Sequence, residues 1–468
     1  MTRVFLPAHA AASGWAFPLA RHLALLMVLL AAGCAHYPVN APLDRYDPAY
    51  GYRIQNATDT DDSSGMLMVV TFSGGGTRAA ALAYGVLEQL AKTEIVRDGR
   101  RTRLLDEIDI ISSVSGGSFT AAYYALRGDD TFRSFEGAFL KRDVQGAITR
   151  NFFKPANLAR MTSPTYGRID LVAEYLDENL FHGATYGDLI SAKRRPFVLI
   201  NASDMSLGAR FEFTQDQFDL LCSDLSRFPL ARAVAASSAV PVVFSPLALR
   251  NYAGRCGYRE PEWVALALQN RASSARRFNR AAEIRSYLDP TTRPFIHLLD
   301  GGMTDNLGLR GMLDRVISRE GPWSLARSLG AENIRKAVMI IVSAETGPDF
   351  SQDRSEQVPT LSQVLRAIKD VPINRYSFET TELLKSNVED WTRRISLHGA
   401  AEGRRIDSYV IEISFDALHD EAERQFFTAI PTSFALPADT VDALRRLAAR
   451  LLEDSADYQR LLRDLAAE

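Results

Sequence analysis

The sequence predicts an α/β protein, a three-layer sandwich in which a mostly parallel central sheet carries helices on both faces. Apolar strand-like runs alternate with helical patterns, which is typical of parallel βαβ units. The strand candidates are residues 66–72, 108–112, 196–203, 295–299 and 337–343, and residues 211–214 predict an antiparallel addition after a turn. With 46% hydrophobic residues in a chain of 468, a large core can be buried.

The first 33 residues are expected to be a signal peptide. They contain Arg3 and Arg21 but no acidic residue, and their apolar run, residues 23–32, is too short to span a bilayer. They lead into Ala-Ala-Gly-Cys, which resembles a bacterial lipobox and makes Cys34 the predicted lipidation site. The alternative is an ordinary signal peptide with an incidental cysteine. Residues 34–64 are rich in Asp, Tyr, Pro and Ser, and are expected to form a mostly irregular, lipidated tether.

A glycine-rich loop follows the first strand candidate. Ser73-Gly74-Gly75-Gly76-Thr77-Arg78 lies between that strand and a long helical pattern. Consecutive glycines at this place present backbone amides that bind an anion, either a phosphate or a transient oxyanion. Gly74, Gly76 and Ala79 also fit the weak G-x-G-x-x-A dinucleotide pattern. A P-loop is excluded because no Lys-Ser/Thr follows the glycines.

The second strand candidate ends in Ser113-Val114-Ser115-Gly116-Gly117, ahead of another helical pattern. A serine between small residues at a strand-to-helix turn has the arrangement of a nucleophile elbow, with the next helix N-terminus behind it. Further along, the strand candidate 295–299 ends in Asp300-Gly301-Gly302. A carboxylate at a strand end, followed by glycines that let the chain turn, suits a base that reaches toward Ser115.

Together these blocks resemble the patatin-like phospholipases. Gly-Gly-Gly-Thr-Arg (74–78), Ser-x-Ser-Gly-Gly (113–117), Ala-Ser-Ser-Ala-Val-Pro (236–241) and Asp-Gly-Gly (300–302) appear in the family's order and approximate spacing, within residues 65–345. The resemblance implies that Ser115 is the nucleophile and Asp300 its dyad partner. It also implies that the amides of Gly74, Gly75 and Gly76 form the oxyanion hole and that Arg78 positions their loop. The chain departs from the family at Ser113, where glycine is usual.

Two other segments have less definite interpretations. Residues 258–294 join an apolar run to clustered arginines, which predicts either an interfacial lid or a surface excursion with solvated arginines. Residues 346–468 are expected to form a mainly helical C-terminal extension that packs on the catalytic domain 65–345 and includes one strand-like stretch, 408–415. Its tail, Ile430-Pro-Thr-Ser-Phe434, also looks like bacterial members of the family.

The cysteines predict one disulfide. If Cys34 carries lipid, only Cys222 and Cys256 remain, and an exported protein meets an oxidising compartment. The alternative is two unpaired buried thiols.

The function expected from these features is hydrolysis of carboxylic esters in phospholipids or lysophospholipids, without metal or cofactor. The alternatives are a non-catalytic lipid-binding or envelope-assembly lipoprotein, and a dinucleotide-binding oxidoreductase. The lipobox and the absence of aspartate at Ala35 indicate an outer-membrane lipoprotein that faces the periplasm and reaches the membrane through its lipid. With residues 1–33 removed, the net charge is −5, which argues against a nucleic-acid partner.

A Ser-His-Asp triad is the alternative to the dyad. The mature chain offers five histidines, His36, His182, His297, His398 and His419. His297 precedes Asp300 by three on one strand, so alternation directs it to the opposite face. The others lie outside the glycine-rich and strand-end motifs, so the dyad is preferred.

Overall fold

The computed structural model describes residues 35–57, 65–97, 99–272, 274–318, 334–348, 350, 352–399 and 406–467, without the side chains of 315–318 and 389–399. The expected signal peptide, Cys34 and residues 58–64 of the expected tether lie outside these ranges. None of the helices in the described part of the chain is both long and apolar enough to cross a bilayer.

A central sheet of eight strands organises the molecule. The chain forms the strands β1 Met66–Phe72, β2 Glu94–Arg97, β3 Arg100–Arg103, β4 Ile108–Val114, β5 Phe197–Asp204, β6 Ala209–Glu212, β7 Leu247–Arg250, β8 Phe295–Asp300, β9 Lys336–Ser343 and β10 Asp407–Ser414. The order across the sheet is β10-β9-β1-β4-β5-β8-β7, with β6 also paired to β5, while β2 and β3 form a separate hairpin. Every residue of β4 and β5 is buried, because helices cover both faces of the sheet.

The helices lie between and around these strands. They are α1 Ile54–Ala57, α2 Gly76–Lys92, α3 Gly116–Arg127, α4 Thr131–Phe135, α5 Val144–Phe152, α6 Pro155–Arg160, α7 Arg168–Leu176, α8 Tyr186–Ala192, α9 Gln215–Leu220, α10 Leu230–Ser237, α11 Glu262–Gln269, α12 Ala275–Tyr287, α13 Gly302–Asp305, α14 Arg310–Ser318, α15 Leu361–Gly399, α16 Glu421–Thr428, α17 Ala438–Asp454 and α18 Ala456–Ala466. Two π-helical turns, Glu136–Leu140 and Asp177–Phe181, extend α4 and α7.

The predicted mostly parallel sheet is confirmed, with two strand directions. β10, β9, β1, β4 and β5 run parallel to one another, whereas β6 and β8 run antiparallel to β5, and β7 runs antiparallel to β8. β10 comes from the C-terminal region and pairs with β9 along its whole length. The expected domain boundary after residue 345 therefore falls between two neighbouring strands of one sheet, and the C-terminal region completes the core instead of only packing on it.

The N-terminal residues 35–57 pack against the catalytic body. Tyr52 is buried and its ring stacks on Phe197 with centroids 4.4 Å apart. Arg53 is buried too, and its Nη2 donates to Oδ2 of Asp219 at 2.6 Å. Residues 35–57 have little regular secondary structure, as expected of the tether. They nevertheless pack closely on the body of the protein, through aromatic and polar side chains rather than aliphatic ones.

Cys222 and Cys256 are joined by a disulfide, with their Cα atoms 5.4 Å apart. The closed loop has a sequence separation of 34 residues and contains α10 and β7. Leu43 and Tyr252 pack around the bridge, so it also lies against the N-terminal segment.

Within residues 258–294, arginines contact partners from the same segment. Arg285 donates to Glu260 at 2.6 and 3.0 Å, Arg280 pairs with Glu283, and Arg277 lies over the ring of Trp263 at 5.6 Å. Side chains that satisfy one another in this way favour the surface excursion over the interfacial lid.

Candidate active site

Ser115 occupies the turn between β4 and α3 in a conformation that few residues adopt. Its φ of 48° and ψ of −118° place it outside the ordinary regions for a side chain with a Cβ. The backbone is held there because the Ser115 amide donates to Oγ of Ser237 at 2.8 Å. The side chain is 5% exposed and stands at the N-terminus of a twelve-residue helix. This is the geometry of a nucleophile elbow.

The glycines that follow Ser115 allow the elbow to touch the glycine loop. A Cβ on Gly116 would overlap the carbonyl oxygen of Gly76, and a Cβ on Gly117 would lie 2.6 Å from Cβ of Phe72. Both positions therefore require glycine, since the main chains of the two loops are in direct contact. Ser113 is accommodated because its hydroxyl donates to the carbonyl of Leu199 at 2.9 Å.

Strand register brings Asp300 to the level of Ser115. Val114 of β4 pairs with Asn201 of β5, and the next residue of β5, Ala202, pairs with Asp300 of the antiparallel β8. As a result, the Ser115 Oγ donates to Asp300 Oδ2 at 2.9 Å. The structure thus brings together the two residues that the sequence singled out as nucleophile and base.

The Asp300 carboxylate is buried, and the backbone of the following turn helps to hold it. Its Oδ1 accepts a hydrogen bond from the amide of Gly302 at 2.8 Å. Burial raises the pKa of Asp300 to about 6, while the Gly302 and Ser115 hydrogen bonds and the charge of Lys369 oppose that rise. A carboxyl group with this pKa is ionised at neutral pH and retains enough basicity to take a proton.

Two of the three predicted glycine amides are available to a ligand. The amides of Gly75 and Gly76 make no hydrogen bond to the described residues, and Gly76 lies against Gly116 at the elbow. The amide of Gly74, however, donates to the carbonyl of Asn306 at 3.0 Å. The expectation that Gly74 takes part in the oxyanion hole is therefore corrected, because its donor is already in use. The amide of Gly116 is also without an acceptor in the described residues, as in other elbows.

Arg78 holds the glycine loop in place through hydrogen bonds to two distant segments of the chain. Its side chain is buried, and Nε donates to the carbonyl of Ala344 at 2.8 Å. Its Nη atoms donate to the carbonyl of Ile430 and, at 3.3 Å, to Oγ1 of Thr432. Burial lowers the pKa of Arg78 to about 10, so the guanidinium stays charged at neutral pH. The predicted positioning residue therefore contacts the strand end after β9 and the C-terminal segment.

Sequence reasoning missed the C-terminal segment as part of the site. The amide of Thr77 donates to the carbonyl of Ser433 at 2.8 Å, and a Cβ on Gly76 would lie 2.5 Å from that same oxygen. The signal was present in the tail Ile430-Pro-Thr-Ser-Phe434, which resembled the family but received no role.

Two further residues of the site were also missed. Oγ of Ser237 donates to the carbonyl of Asn201 at 2.6 Å while it accepts from Ser115, so it links β5 to the elbow. Asn306 accepts from Gly74 and contacts Glu345 through its Nδ2 at 3.4 Å. Burial raises the pKa of Glu345 to about 7. Both residues lie in blocks that carry the family resemblance or directly follow one.

The histidines whose side chains are described do not hydrogen-bond to Ser115 or Asp300. His297 is exposed on β8, on the face opposite the buried Asp300. The side chain of His398 lies outside the described residues. Among the described side chains, no group of three or more His, Cys, Asp and Glu could hold a metal ion.

Comparison with known proteins gives one family match and several structural relatives. A family model described as patatin-like phospholipase matches residues 70–313. A structure of human GIVD cytosolic phospholipase A2 aligns with a TM-score of 0.42 and 14% identity, covering 98% of this chain and 67% of that one. The same human protein in complex with methyl gamma-linolenyl fluorophosphonate aligns with a TM-score of 0.40 and 12% identity, covering 94% of this chain and 64% of that one. The chain thus spans about two thirds of the length of those proteins. No curated protein matches the chain.

Proposed function

The chain belongs to the patatin-like phospholipase family, and from this premise we propose that it cleaves carboxylic esters of phospholipids or lysophospholipids through a Ser115–Asp300 dyad and an acyl-enzyme. The observation that carries the proposal is the 2.9 Å hydrogen bond from the Ser115 hydroxyl to the buried Asp300 carboxylate. Family membership assigns lipid acyl hydrolysis in general. The dyad, the covalent intermediate and the phospholipid class are the parts proposed here.

In the first step, Asp300 takes the proton from the Ser115 hydroxyl as Oγ attacks the ester carbonyl carbon. A new C–O bond forms, and the carbonyl electron pair moves onto its oxygen. The amides of Gly75, Gly76 and Gly116 are the donors for that oxyanion, because the described residues provide them with no other acceptor. Such donors lower the barrier most when the fold fixes them beforehand, as Arg78 does for the glycine loop.

The tetrahedral species then collapses. The bond to the leaving alkoxide breaks, and the proton on Asp300 passes to that oxygen, so an alcohol or lysophospholipid departs. A water molecule next gives its proton to Asp300 and attacks the acyl-enzyme, and breakdown releases a fatty acid and restores the serine hydroxyl. Asp300 serves as base and acid in turn, which its raised pKa permits.

The proposal includes a place in the cell. The lipobox at Cys34 supports lipid attachment to the outer membrane of a bacterium, with the catalytic body in the periplasm. Several acyl chains on one cysteine hold a protein stably at a bilayer, whereas a single chain binds only marginally. Lipid attachment would therefore keep the enzyme at its substrate.

The test pairs a covalent probe with product analysis. Wild-type protein is expected to react with a fluorophosphonate at Ser115 and to release fatty acid from a mixed phospholipid extract, identified by mass spectrometry. Ser115→Ala should remove both signals while the protein stays folded, with a loss of several orders of magnitude in rate. A folded wild-type protein that neither reacts nor hydrolyses any ester would instead favour a lipid-binding lipoprotein.

Histidine variants separate the dyad from a triad. Single changes of His36, His182, His297, His398 and His419 to alanine are expected to leave most of kcat. A loss of a hundredfold or more at His398 or His419, in a protein that remains folded, would replace the dyad with a triad.

A further inference from the structure

We propose that an apolar rim formed by Phe153, Leu158, Val242 and Val243 is the surface that rests on the lipid bilayer during catalysis. The proposal rests on the proposed function, since it presumes a lipid substrate and an N-terminal lipid. The new claim is that this rim is the face of the enzyme that meets the membrane. On this proposal, the lipid anchor and the active site lie on the same face.

The rim exposes large apolar side chains that nothing in the described chain covers. The exposed fractions are 71% for Phe153, 46% for Leu158, 63% for Val242 and 54% for Val243. Clustered apolar side chains of this kind mark surfaces that bind another apolar phase. The two halves of the rim adjoin, because Phe152 and Phe244, their immediate neighbours in the chain, pack edge to face with centroids 6.5 Å apart.

The rim borders the active site on two sides. The amide of Asp300 donates to the carbonyl of Ala239 at 3.0 Å, three residues before Val242. On the other side, Phe244 stacks near Phe434 at 6.4 Å, and Phe434 directly follows the residue that holds the amide of Thr77. A lipid lying on the rim is therefore adjacent to both the base and the glycine loop.

The rim also adjoins the place where the described chain begins. The carbonyl of Ala35 accepts hydrogen bonds from the hydroxyls of Ser163 and, at 3.1 Å, Thr165. Three residues after Thr165, Nη2 of Arg168 donates to the carbonyl of Val242 at 2.8 Å. One short segment, residues 163–168, thus holds both Ala35 and the valine loop. A lipid attached to Cys34, the residue before Ala35, would therefore start beside the rim.

The backbone at Val242 points to the same role. Its φ of 72° lies in the left-handed region, which is unfavourable for a β-branched residue. The strain holds an apolar side chain out in solvent, where it gains no burial within this chain. Strained residues of this kind cluster at functional sites, where the surrounding structure maintains them.

The charges beside the rim suit phospholipid head groups. Lys154 follows Phe153, Arg168 binds the Val242 carbonyl, and both side chains are exposed. Basic side chains at the edge of an apolar surface attract phosphate groups and anionic lipids. This combination favours a bilayer over a second copy of the chain as the occupant.

Tryptophan quenching tests the proposal without reference to catalysis. The lipidated protein is reconstituted with phosphatidylcholine–phosphatidylglycerol vesicles that contain brominated acyl chains. Val243→Trp and Phe153→Trp are expected to show fluorescence quenching in excess of the parent, because the new rings reach the acyl region. Val96→Trp is the matched control, since Val96 is 53% exposed on β2 of the separate hairpin, which follows the far end of the 17-residue helix α2 that starts at the glycine loop.

A second control comes from another exposed apolar stretch. Ile368 on α15 is 62% exposed and directly precedes Lys369, whose charge acts on Asp300, so it belongs to a rival apolar surface beside the site. Ile368→Trp is expected to be quenched less than the two rim variants. Quenching at Ile368 without quenching at Val243 and Phe153 would overturn the proposal, as would no excess quenching at the two rim positions. Because the readout needs no turnover, a catalytically inert protein with a quenched rim would refute the proposed function and leave this inference standing.

Activity and assembly give the remaining outcomes. The double variant Val242→Ser, Val243→Ser should lower the ratio of vesicle hydrolysis to soluble short-chain ester hydrolysis by about tenfold, since only the former requires the rim. An unchanged ratio would contradict the proposal. Sedimentation analysis of the parent and the double variant completes the test: a dimer that becomes a monomer would mean that a second copy covers the rim.

Discussion

The elbow around Ser115 and the glycine loop around Gly75 meet in one site, but they are built differently. The elbow is defined by its own pentapeptide and by β5, which directly neighbours β4 in the sheet. The glycine loop is held by Asn306, Ala344 and Ser433, which lie far along the chain. The nucleophile therefore depends on its own pentapeptide and on supports within residues 197–237, among them the Ser237 hydroxyl that accepts from the Ser115 amide, whereas the glycine loop depends on residues 306–433. Changes to the elbow should stop the chemistry itself, and changes to the supports of the loop should weaken it by degrees.

The largest effect is expected at the carboxylate that serves the elbow. Asp300→Asn should lower kcat by about 10²–10⁴-fold, because the amide cannot take the serine proton. The control is His297→Ala on the same strand, which should retain activity. Steady-state kinetics on a soluble ester measures both, and an active Asp300→Asn enzyme would refute the dyad.

The same variant should gain stability at neutral pH relative to the parent. The pKa of Asp300 rises from 3.8 to about 6 on folding, so ionising it costs folded-state free energy as the pH increases through that range. Thermal unfolding at pH 4 and pH 7 should show the variant's relative stability increasing by as much as about 3 kcal/mol.

A smaller loss is expected where the two regions touch. Gly116→Ala places a methyl group on the carbonyl oxygen of Gly76 and should separate the elbow from the glycine loop. Because the oxyanion donors then move away, kcat should fall by about 10²–10³-fold. Gly137→Ala is the control, since a Cβ there meets no atom within 4 Å. Equal activity in the two variants would show that the contact has no role.

Changes to the residues that support the glycine loop should lower kcat less, and the loss should grow with the number of hydrogen bonds removed. Arg78→Met leaves the carbonyls of Ala344 and Ile430 without their donor and should lower kcat by about 10–100-fold through misplaced amides. Thr432→Val removes only the 3.3 Å contact and should cost less. Fluorophosphonate labelling of Ser115 should persist in both, more slowly. An Arg78→Met enzyme with wild-type kcat would mean that the loop holds its shape without the arginine.

The acid limb of the pH dependence should follow Asp300 on the elbow side, because Glu345 on the loop side, with its pKa raised to about 7, contacts Asn306 and not the reacting groups. Because Asp300 must be ionised to act as base, kcat/KM should fall about tenfold per pH unit below its pKa of about 6 and level off above it. Arg78, with its pKa lowered only to about 10, keeps its charge throughout this range. Profiles recorded between pH 4.5 and 8.5 check this, and a midpoint below pH 5 would argue against a buried base.

The smallest effect on activity is expected at the disulfide, which contacts neither loop. Replacing Cys222 and Cys256 by serine should lower stability by about 2–4 kcal/mol through the larger freedom of the unfolded chain. Activity at 25 °C should change less than about twofold, since the 34-residue loop lies outside the catalytic contacts. Thiol titration of the unfolded, non-reduced parent should find no reactive pair, and two free thiols would exclude the bridge.

The sequence predicted the strands of the core with good accuracy. The expected strand 66–72 coincides with Met66–Phe72, and the other predicted core strands agree to within one or two residues, because fully buried strands are continuous apolar runs. It did not predict β7 or the β2–β3 hairpin, which are short and partly exposed. Nor did it predict the antiparallel direction of β8, because the direction of a strand depends on connections that its own residues do not encode.

Within the site, the residues were predictable but their hydrogen-bond partners were not. Ser115, Asp300 and Arg78 lie in recognisable motifs. The Gly74 amide is unavailable to the oxyanion because it donates to the carbonyl of Asn306, which lies in a turn more than 200 residues away. Likewise, residues 35–57 pack through contacts of Tyr52 with Phe197 and of Arg53 with Asp219, and these distant partners come together only after folding.

The hydrogen bonds from Thr77 and Arg78 to residues 430–433 make the position of the glycine loop depend on the C-terminal segment. A growing chain carries Ser115 and Asp300 before it carries Ile430, and until then its glycine loop has the supports Asn306 and Ala344 but lacks the acceptors in residues 430–433. Such a chain has the proposed nucleophile and base, but its glycine loop is not yet fully held in place. In the proposed enzyme, lipid hydrolysis therefore begins only once residues 430–433 have folded against the glycine loop.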